Sequence, residues 1–257
     1  MLDSRNQRKI DIFCCGVQKG GTTSLHAYFC NHPQLDTPKF KELHFFDNED
    51  LDWNAPNYGL LDDYFNNREG DKRRYDITPI YLFWPQALER LQAYNPDAKL
   101  IFLFRDPFER AWSQWCMEYA RKSEDLPFSA AIREGRDRLS GKHPQSPEFR
   151  VYTYLERGFY GQQVERALRL FPREQLLFLK SETFRTDHLV TLRHISDFLG
   201  IARFAEKDAK SENAQPPITY PCAPTEDDRL LFQKALRQDL TKFSRLTGLD
   251  IFDWPTF

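Results

Sequence analysis

A lysine, two adjacent glycines and three hydroxyl side chains stand together in the segment Gly16-Val17-Gln18-Lys19-Gly20-Gly21-Thr22-Thr23-Ser24-Leu25. Glycines let a backbone approach an anion closely, and the N–H groups at a helix N-terminus favour a phosphate. Lys19 adds a full positive charge. The order differs from the Walker A pattern, in which the lysine follows the glycine. The segment predicts a phosphate-binding loop, with a plain strand-to-helix turn as the alternative.

A second candidate phosphate ligand follows the apolar run Lys99 to Phe104. Arg105 comes directly after this run in the sequence Arg105-Asp106-Pro107-Phe108-Glu109-Arg110-Ala111-Trp112-Ser113. The planar fork of an arginine suits a phosphate monoester. We expect Arg105 and Ser113 to bind a second phosphate group. The alternative is an arginine paired with Glu109 or Asp106 and a serine without a ligand.

A candidate proton acceptor lies in Lys41-Glu42-Leu43-His44-Phe45-Phe46-Asp47. If the segment is extended, Glu42 and His44 point to the same side. A positioned carboxylate or imidazole can remove the proton of an alcohol or amine. We predict Glu42 as the base and keep His44 as an alternative base, as an orienting group or as a buried structural histidine. Asp47 is expected to orient or to cap the loop.

The surrounding pattern predicts an α/β fold. Buried strands are expected at Ile10–Val17, Lys99–Phe104 and Gln175–Leu179, and helices at Thr22–Cys30, Trp84–Tyr94, Pro107–Arg121, Thr191–Leu199 and around Phe232–Phe243. Strands that alternate with helices form a parallel sheet covered by helices on both faces, and ligands bind at the carboxyl ends of its strands. The first two candidate segments fall at such ends.

Length and composition indicate one globular domain over residues 1–257, with 40% hydrophobic and 15% aromatic residues. The net charge of −2 gives no general attraction to nucleic acid. The cysteines show no metal-ligand or disulfide spacing, and we expect buried thiols. The charged N-terminal residues and the lack of a long apolar run predict a cytoplasmic protein without a membrane span. The sequence does not indicate an oligomeric state, since it contains no sustained coiled-coil heptad pattern.

Together the three segments resemble the sulfotransferases that use 3′-phosphoadenosine 5′-phosphosulfate (PAPS), in the heparan-sulfate-sulfotransferase-like and bacterial branch. The resemblance implies a fold like that of the P-loop kinases. It implies that Lys19 binds the 5′-phosphate and stabilises the departing phosphate oxygen, that Glu42 is the base, and that 3′-phosphoadenosine 5′-phosphate (PAP) is the product. It further implies cofactor-binding roles for Gly20, Gly21, Thr22, Thr23, Ser24, Arg105 and Ser113. Arg110 matches the family pattern without an assigned role.

Departures from the family pattern bear on the acceptor. The glycosaminoglycan enzymes have Glu-Lys-Thr-Pro or a close variant where this chain has Asp76-Ile77-Thr78-Pro79. Cys222 lacks a later cysteine partner, and residues 218–221 lack the basic loop of those enzymes. We therefore expect a hydroxyl or amine on a small metabolite or natural product more than on a polysaccharide, although glycolipid and saccharide acceptors stay open.

The resemblance implies direct in-line transfer without a metal ion. Two other functions remain compatible with the sequence. One is a small-molecule or nucleotide kinase of the P-loop type, which would need Mg²⁺ and a Walker-type lysine. The other is a non-catalytic nucleotide-binding protein. Recognition of a 3′-phosphate, which ATP lacks, distinguishes the sulfotransferase from the kinase.

Overall fold

The computed structural model describes residues 8–66, 70–205 and 218–257. The sequence predicts a loop over Asn213 to Thr225, and part of it lies outside the described residues. Five strands form one sheet: β1 (Ile12–Gly16), β2 (Leu35–Asp36), β3 (Arg73–Ile77), β4 (Lys99–Phe104) and β5 (Leu176–Lys180). Their order is β2-β3-β1-β4-β5, and every pairing is parallel. The predicted parallel sheet is confirmed.

The strand order fixes which chain segments leave the sheet side by side. β1 pairs with β3 on one side and with β4 on the other. Connections from β1 and from β3 therefore run in opposite directions across the sheet. In open parallel sheets this reversal marks the usual ligand-binding crevice. The segments that follow β1 and β4 are the two candidate phosphate-binding segments of the sequence.

Both faces of the sheet are buried, as the apolar runs predicted. One apolar cluster covers one face of the sheet. It contains Ile12 and Cys14 of β1, Ile101 and Leu103 of β4, and side chains of helices that pack on this face, such as Leu25. Residues between them point to the opposite face. There Phe13 contacts Phe46 and Tyr94 with ring centroids 5.7 and 6.5 Å apart.

Nine α-helices occur among the described residues. They are α1 (Thr22–Phe29), α2 (Ala87–Tyr94), α3 (Pro107–Ala120), α4 (Phe128–Ala131), α5 (Pro147–Val151), α6 (Tyr160–Leu170), α7 (Ser181–Thr186), α8 (His188–Leu199) and α9 (Glu226–Thr247). Short 3₁₀ helices cover Tyr58–Tyr64, Glu134–Leu139, Glu156–Gly158 and Arg173–Gln175. None of the described helices is long and apolar enough to cross a membrane.

The chain divides into two compact units, each made of separated segments. Of the described residues, the first unit contains 8–17, 21–66, 70–104 and 168–205, and with them the whole sheet. The second contains residues 18–20, 105–167 and 218–257, and with them α3 and α9. The single-domain organisation expected from the length stays a prediction.

Most predicted elements are confirmed within a few residues. β4 begins and ends where its apolar run does, and α8 ends at Gly200, whose φ of 69° is the left-handed conformation of a helix C-terminus. The expectation of buried thiols holds for Cys14, Cys15 and Cys116 and is wrong for Cys30, which is exposed.

Candidate active site

The loop after β1 leads into a helix, α1, whose first turn is not capped by a side chain. Gly16, the last residue of β1, packs closely on Leu82, because a Cβ there would lie 3.0 Å from Cδ2 of Leu82 and would require that side chain to shift. Gly21 precedes α1 with a φ of 98°, a conformation that glycine adopts without strain. The first turn contains Thr22, Thr23 and Ser24, no acidic residue, and no side chain that caps it. Its N–H groups are therefore available to a ligand.

Lys19 and Gly20 belong to the second unit. Lys19 has a φ of 68°, in the left-handed region that is costly for a residue other than glycine. Burial is the main cause that lowers the pKa of Lys19, and the nearby charges of Arg121 and Arg105 lower it further. Nη1 of Arg105 donates to the carbonyl oxygen of Lys19 at 3.5 Å. The structure thus brings together two cations that repel each other, an arrangement that an anion would stabilise.

Arg105 stands at the start of α3. Asp106 caps this helix by accepting a hydrogen bond from the backbone N–H of Glu109 at 2.9 Å, and Pro107 occupies the first turn. Nη2 of Arg105 lies 3.3 Å from Oε2 of Glu109, so the predicted alternative pairing is present. Nε of Arg105 is nevertheless buried without a hydrogen-bond partner among the described residues. That orphaned donor is available to a phosphate oxygen.

Ser113 lies on α3 and is only 7% exposed. Arg110 is fully buried, and its guanidinium donates to Oε1 of Gln114 at 2.6 Å and to the carbonyl oxygen of Tyr154. The arginine whose role the sequence left open therefore ties α3 to the segment before Gly158.

Two side chains that the sequence did not single out form hydrogen bonds with the candidate phosphate-binding segments of the second unit. Arg157 donates from Nη1 to Oε1 of Gln18 at 2.7 Å, next to Lys19. The hydroxyl of Tyr160 donates to the carbonyl oxygen of Arg105 at 2.9 Å. Both belong to the sequence Glu-Arg-Gly-Phe-Tyr, which carries no recognisable chemical signature.

The candidate base lies in the first unit, in a cluster of three side chains that we call the carboxylate–histidine cluster (Glu42, His44 and Asp47). Nε2 of His44 lies 3.5 Å from Oε2 of Glu42, and Nδ1 of His44 lies 2.9 Å from Oδ2 of Asp47. Lys41 also pairs with Glu42. Asp47 is fully buried, whereas His44 is 46% exposed. The expected orienting role of Asp47 agrees with this geometry.

The expected extended conformation of this segment is wrong. Glu42 and His44 have φ angles of 63° and 51°, so both lie in the left-handed region. The side chains still meet, because two left-handed residues that flank Leu43 bring Glu42 and His44 to one side. Leu43 and Phe45 are 4% and 3% exposed, as expected of the opposite, apolar side.

The cluster fixes the charges of its members. Burial would raise the pKa of Glu42, but the hydrogen bond to His44 and the charge of Lys41 outweigh it and lower the pKa to about 2. Burial would lower the pKa of His44, but the hydrogen bonds to Asp47 and Glu42 raise it to about 9. At neutral pH Glu42 is a carboxylate and His44 an imidazolium.

A third carboxyl group, that of Asp76, lies next to the cluster. Asp76, near the end of β3, accepts hydrogen bonds from the Thr78 hydroxyl at 2.7 Å, the Tyr81 hydroxyl at 2.8 Å and the backbone N–H of Leu43 at 3.4 Å. Burial raises the pKa of Asp76 to about 6 against these bonds.

Five aromatic residues could either line an acceptor pocket or pack in the core: Trp53, Tyr58, Tyr81, Phe83 and Trp84. Tyr81 and Trp84 are fully buried, so packing, the alternative, applies to them. Nε1 of Trp53 donates to the carbonyl oxygen of Asn48 at 2.8 Å, and its ring stacks under the guanidinium of Arg90. No group of three or more histidine, cysteine, aspartate or glutamate side chains in the described ranges has an arrangement that could hold a metal ion.

Comparison with known proteins indicates the family of the chain. The family model for the sulfotransferase domain matches residues 9–213, a range that contains every candidate residue. The chain is 30% identical over 206 residues to mouse heparan sulfate glucosamine 3-O-sulfotransferase 3A1, a match over 79% of this chain and 49% of that protein. It is 28% identical over 198 residues to human bifunctional heparan sulfate N-deacetylase/N-sulfotransferase 3, over 72% of this chain and 22% of that protein.

Among solved structures, a sulfotransferase from Alicyclobacillus acidocaldarius superposes with a TM-score of 0.77 at 24% identity, over 96% of this chain and 98% of that one. This likeness confirms the predicted α/β fold. The chain spans about half the length of the 3-O-sulfotransferase it matches, 49%. Because the family model covers most of the chain, from residue 9 to residue 213, the chain belongs to the sulfotransferase family.

Proposed function

We propose that this chain is an enzyme that moves the sulfuryl group of PAPS to a hydroxyl or amine of an acceptor in one in-line step. PAPS supplies the sulfuryl group together with a phosphate leaving group. Lys19 binds and stabilises the 5′-phosphate, and Gly20, Gly21, Thr22, Thr23 and Ser24 surround it. Arg105 and Ser113 bind the 3′-phosphate. A metal ion is not part of the proposal, and the cytoplasmic location expected from the sequence stays a prediction.

The observation that carries this proposal is a set of donors without partners. The first turn of α1 lacks a capping side chain. Nε of Arg105 is buried and unpaired within the described part of the chain. Burial lowers the pKa of Lys19, and the positive charge of the nearby Arg105 lowers it further. Such an arrangement is costly when empty and favourable when anionic groups bind.

Each bond that forms or breaks in the proposed transfer, and the proton that moves, can be assigned to a named group. The acceptor oxygen or nitrogen forms a bond to sulfur while the bond between sulfur and the 5′-phosphate oxygen breaks. The proton of the acceptor passes to the carboxylate of Glu42. Lys19 stabilises the charge that develops on the departing phosphate oxygen. His44, which is protonated at neutral pH, orients Glu42 and is not the proton acceptor.

The proposed acceptor is a neutral or cationic small molecule and not a sulfated polysaccharide. Residues 47–63 contain acidic side chains and no lysine or arginine. Asp50, Asp52 and Asp63 are exposed, whereas three other carboxylates of this segment pair with cationic side chains: Asp47 with His44, Glu49 with Arg90 and Asp62 with Arg74. Ring contacts between Phe45 and Trp53, at 5.8 Å, and between Phe45 and Tyr58, at 6.2 Å, pack this segment against the base. Exposed carboxylates there repel a polyanion. Ile77 also lacks the charge of the lysine in the glycosaminoglycan enzymes.

Calorimetric titration tests the donor assignment. We expect PAP to bind without divalent metal and ATP to bind far more weakly. Arg105→Ala should cost about 2 to 4 kcal/mol of PAP binding free energy, because it removes a charge-assisted phosphate contact. Lys19→Ala should also weaken PAP binding.

Two controls match these changes. Lys122→Ala removes a lysine that has a φ of 62°, and Arg136→Ala removes an arginine that is 46% exposed. Both should bind PAP like the unaltered protein. Preference for ATP, or unchanged PAP affinity in Lys19→Ala and Arg105→Ala, would refute the assignment.

A further inference from the structure

We propose that Asp76 and Tyr81 are positioning residues that hold the backbone on both sides of His44, so that Glu42 and His44 face the acceptor. The inference deepens the proposed function and rests on it. Neither residue needs to touch the acceptor. Asp76 is 1% exposed and Tyr81 is fully buried.

The hydrogen bonds of Asp76 and Tyr81 converge on the base segment. Oδ1 of Asp76 accepts from the backbone N–H of Leu43 at 3.4 Å, and Oδ2 accepts from the hydroxyl of Tyr81 at 2.8 Å. The same Tyr81 oxygen accepts from the backbone N–H of Phe45 at 3.1 Å. One buried carboxylate therefore holds Leu43 directly and Phe45 through Tyr81.

The base segment needs such support. Glu42 and His44 both lie in the left-handed region, with φ angles of 63° and 51°. Left-handed conformations of residues other than glycine are strained and persist only where the surroundings enforce them. The two N–H groups held by Asp76 and Tyr81 belong to the residues that follow Glu42 and His44. They are placed to enforce both conformations.

The chemistry of Asp76 also favours this role over a plain core contact. A buried carboxylate is costly, and the hydrogen bonds given to Asp76 come from neutral donors: the Thr78 hydroxyl, the Tyr81 hydroxyl and one backbone N–H. A carboxylate can accept from all three because it has two oxygens and no hydrogen. An asparagine would turn one acceptor into a donor and leave one of these groups unpaired.

Kinetics of Asp76→Asn and Tyr81→Phe test the proposal. We expect kcat to fall about 10- to 100-fold in each, because displacement of a base by about 1 Å has effects of this size. The affinity for PAP and the KM for PAPS should stay within about twofold, since cofactor contacts are unaltered. Tyr94→Phe is the matched control, because the hydroxyl of Tyr94 accepts from the backbone N–H of Ile10 at 2.8 Å in the same unit. It should keep its kcat.

The titration of His44, followed by NMR, gives a readout that does not need activity. The charged groups that face His44 are Glu42 and Asp47, with Asp76 next to the cluster and Lys41 on Glu42. Tyr81→Phe keeps all of these charges and removes only hydrogen bonds. We expect the pKa of His44 to fall from about 9 toward its usual 6.5 in Tyr81→Phe and to stay in place in Tyr94→Phe.

The outcomes separate this inference from the proposed function. If the unaltered enzyme transfers no sulfuryl group from PAPS, the function is refuted, while a shifted His44 titration would still support the positioning contacts. If the enzyme is active and Tyr81→Phe matches Tyr94→Phe in both kcat and the His44 titration, the positioning role is refuted. Joint loss of kcat and PAP affinity with a lowered melting temperature would also refute it, because the damage would then be general.

Discussion

At the scale of single residues, the charges of the carboxylate–histidine cluster decide which group can accept a proton. His44 is held between Glu42 and Asp47, and both carboxylates favour its protonated form. An imidazolium cannot accept a proton, and this favours Glu42 over His44 as the proposed base at neutral pH. The cost of this arrangement is a weak base, since the same contacts lower the pKa of Glu42 to about 2.

The pH dependence of kcat/KM distinguishes the two bases. If Glu42 is the base, the rate is nearly constant from pH 7 to about 8, because Glu42 is ionised throughout, and it changes only near pH 9, where His44 loses its proton. If His44 were the base, the neutral form would be needed. The rate would then rise about tenfold per pH unit until pH 9, since the neutral fraction grows in that way.

The same profile measured on Glu42→Gln is the control. This variant should lose on the order of 100-fold in kcat, the usual contribution of a general base, and should keep its affinity for PAP. A tenfold rise per pH unit between pH 7 and 9 in the unaltered enzyme would assign the base to His44.

At the scale of elements, strands were predictable where the sequence alone explains burial. β4 was predicted at its observed bounds, because Lys99–Phe104 is a nearly continuous apolar run. β3 was not predicted, because three of the five residues in Arg73–Ile77 are charged. Arg74 is nevertheless buried, since it pairs with Asp62 and Asp36. Those partners come from other segments, and the sequence of β3 does not reveal them.

The candidate site was predictable to a similar extent. Lys19, Arg105 and Glu42 stand in local motifs, and their spacing can be read directly. The contacts that hold them were not readable, because the partners lie far apart in the chain. Gln18 and Arg157 are 139 residues apart, and Leu43 and Asp76 are 33 residues apart. The backbone at Glu42 was predicted wrongly, because its left-handed turn depends on such distant partners.

Another contact between residues that lie far apart in the chain, from Tyr160 of α6 to Arg105, gives a prediction. Tyr160→Phe removes the hydroxyl that donates to the carbonyl oxygen of Arg105 at 2.9 Å. Because this bond fixes the backbone at Arg105, we expect PAP affinity to fall about 3- to 30-fold. This loss corresponds to the free energy that one hydrogen bond contributes, or to somewhat more. Isothermal calorimetry measures the change.

Tyr152→Phe is the control for this prediction, since the Tyr152 hydroxyl donates to the carbonyl oxygen of Ser123 at 3.2 Å in an exposed position. It should leave PAP affinity unchanged. Equal affinity in Tyr160→Phe and Tyr152→Phe would show that the contact with Arg105 does not support cofactor binding.

At the scale of the whole molecule, net charge and its distribution carry different information. The net charge of −2 says little about the acceptor, because basic and acidic residues are nearly balanced. Residues 47–63, in contrast, contain acidic side chains and no lysine or arginine. The neighbouring lysines are engaged, Lys41 with Glu42 and Lys39 with the carbonyl oxygen of Asp63 at 2.7 Å. The relatives named for heparan sulfate therefore need not share their acceptor with this chain.

A charge reversal tests whether the acidic segment selects the acceptor. Asp50→Lys changes an exposed carboxylate of this segment. The assay compares kcat/KM for two small acceptors that differ only in one added sulfate or carboxylate group. We expect the ratio of the anionic to the neutral acceptor to rise about 3- to 30-fold at low salt and to shrink at high salt, because exposed charges are screened.

Asp97→Lys is the matched control, because Asp97 is also exposed but lies just before β4, at the amino end of the strand. It makes the same change in net charge, so a general effect of charge would appear in both variants. An unchanged ratio in Asp50→Lys, or an equal rise in Asp97→Lys, would contradict a selective role for residues 47–63. A rise confined to Asp50→Lys would mean that local charge beside the base, and not family membership, determines which acceptors this sulfotransferase excludes.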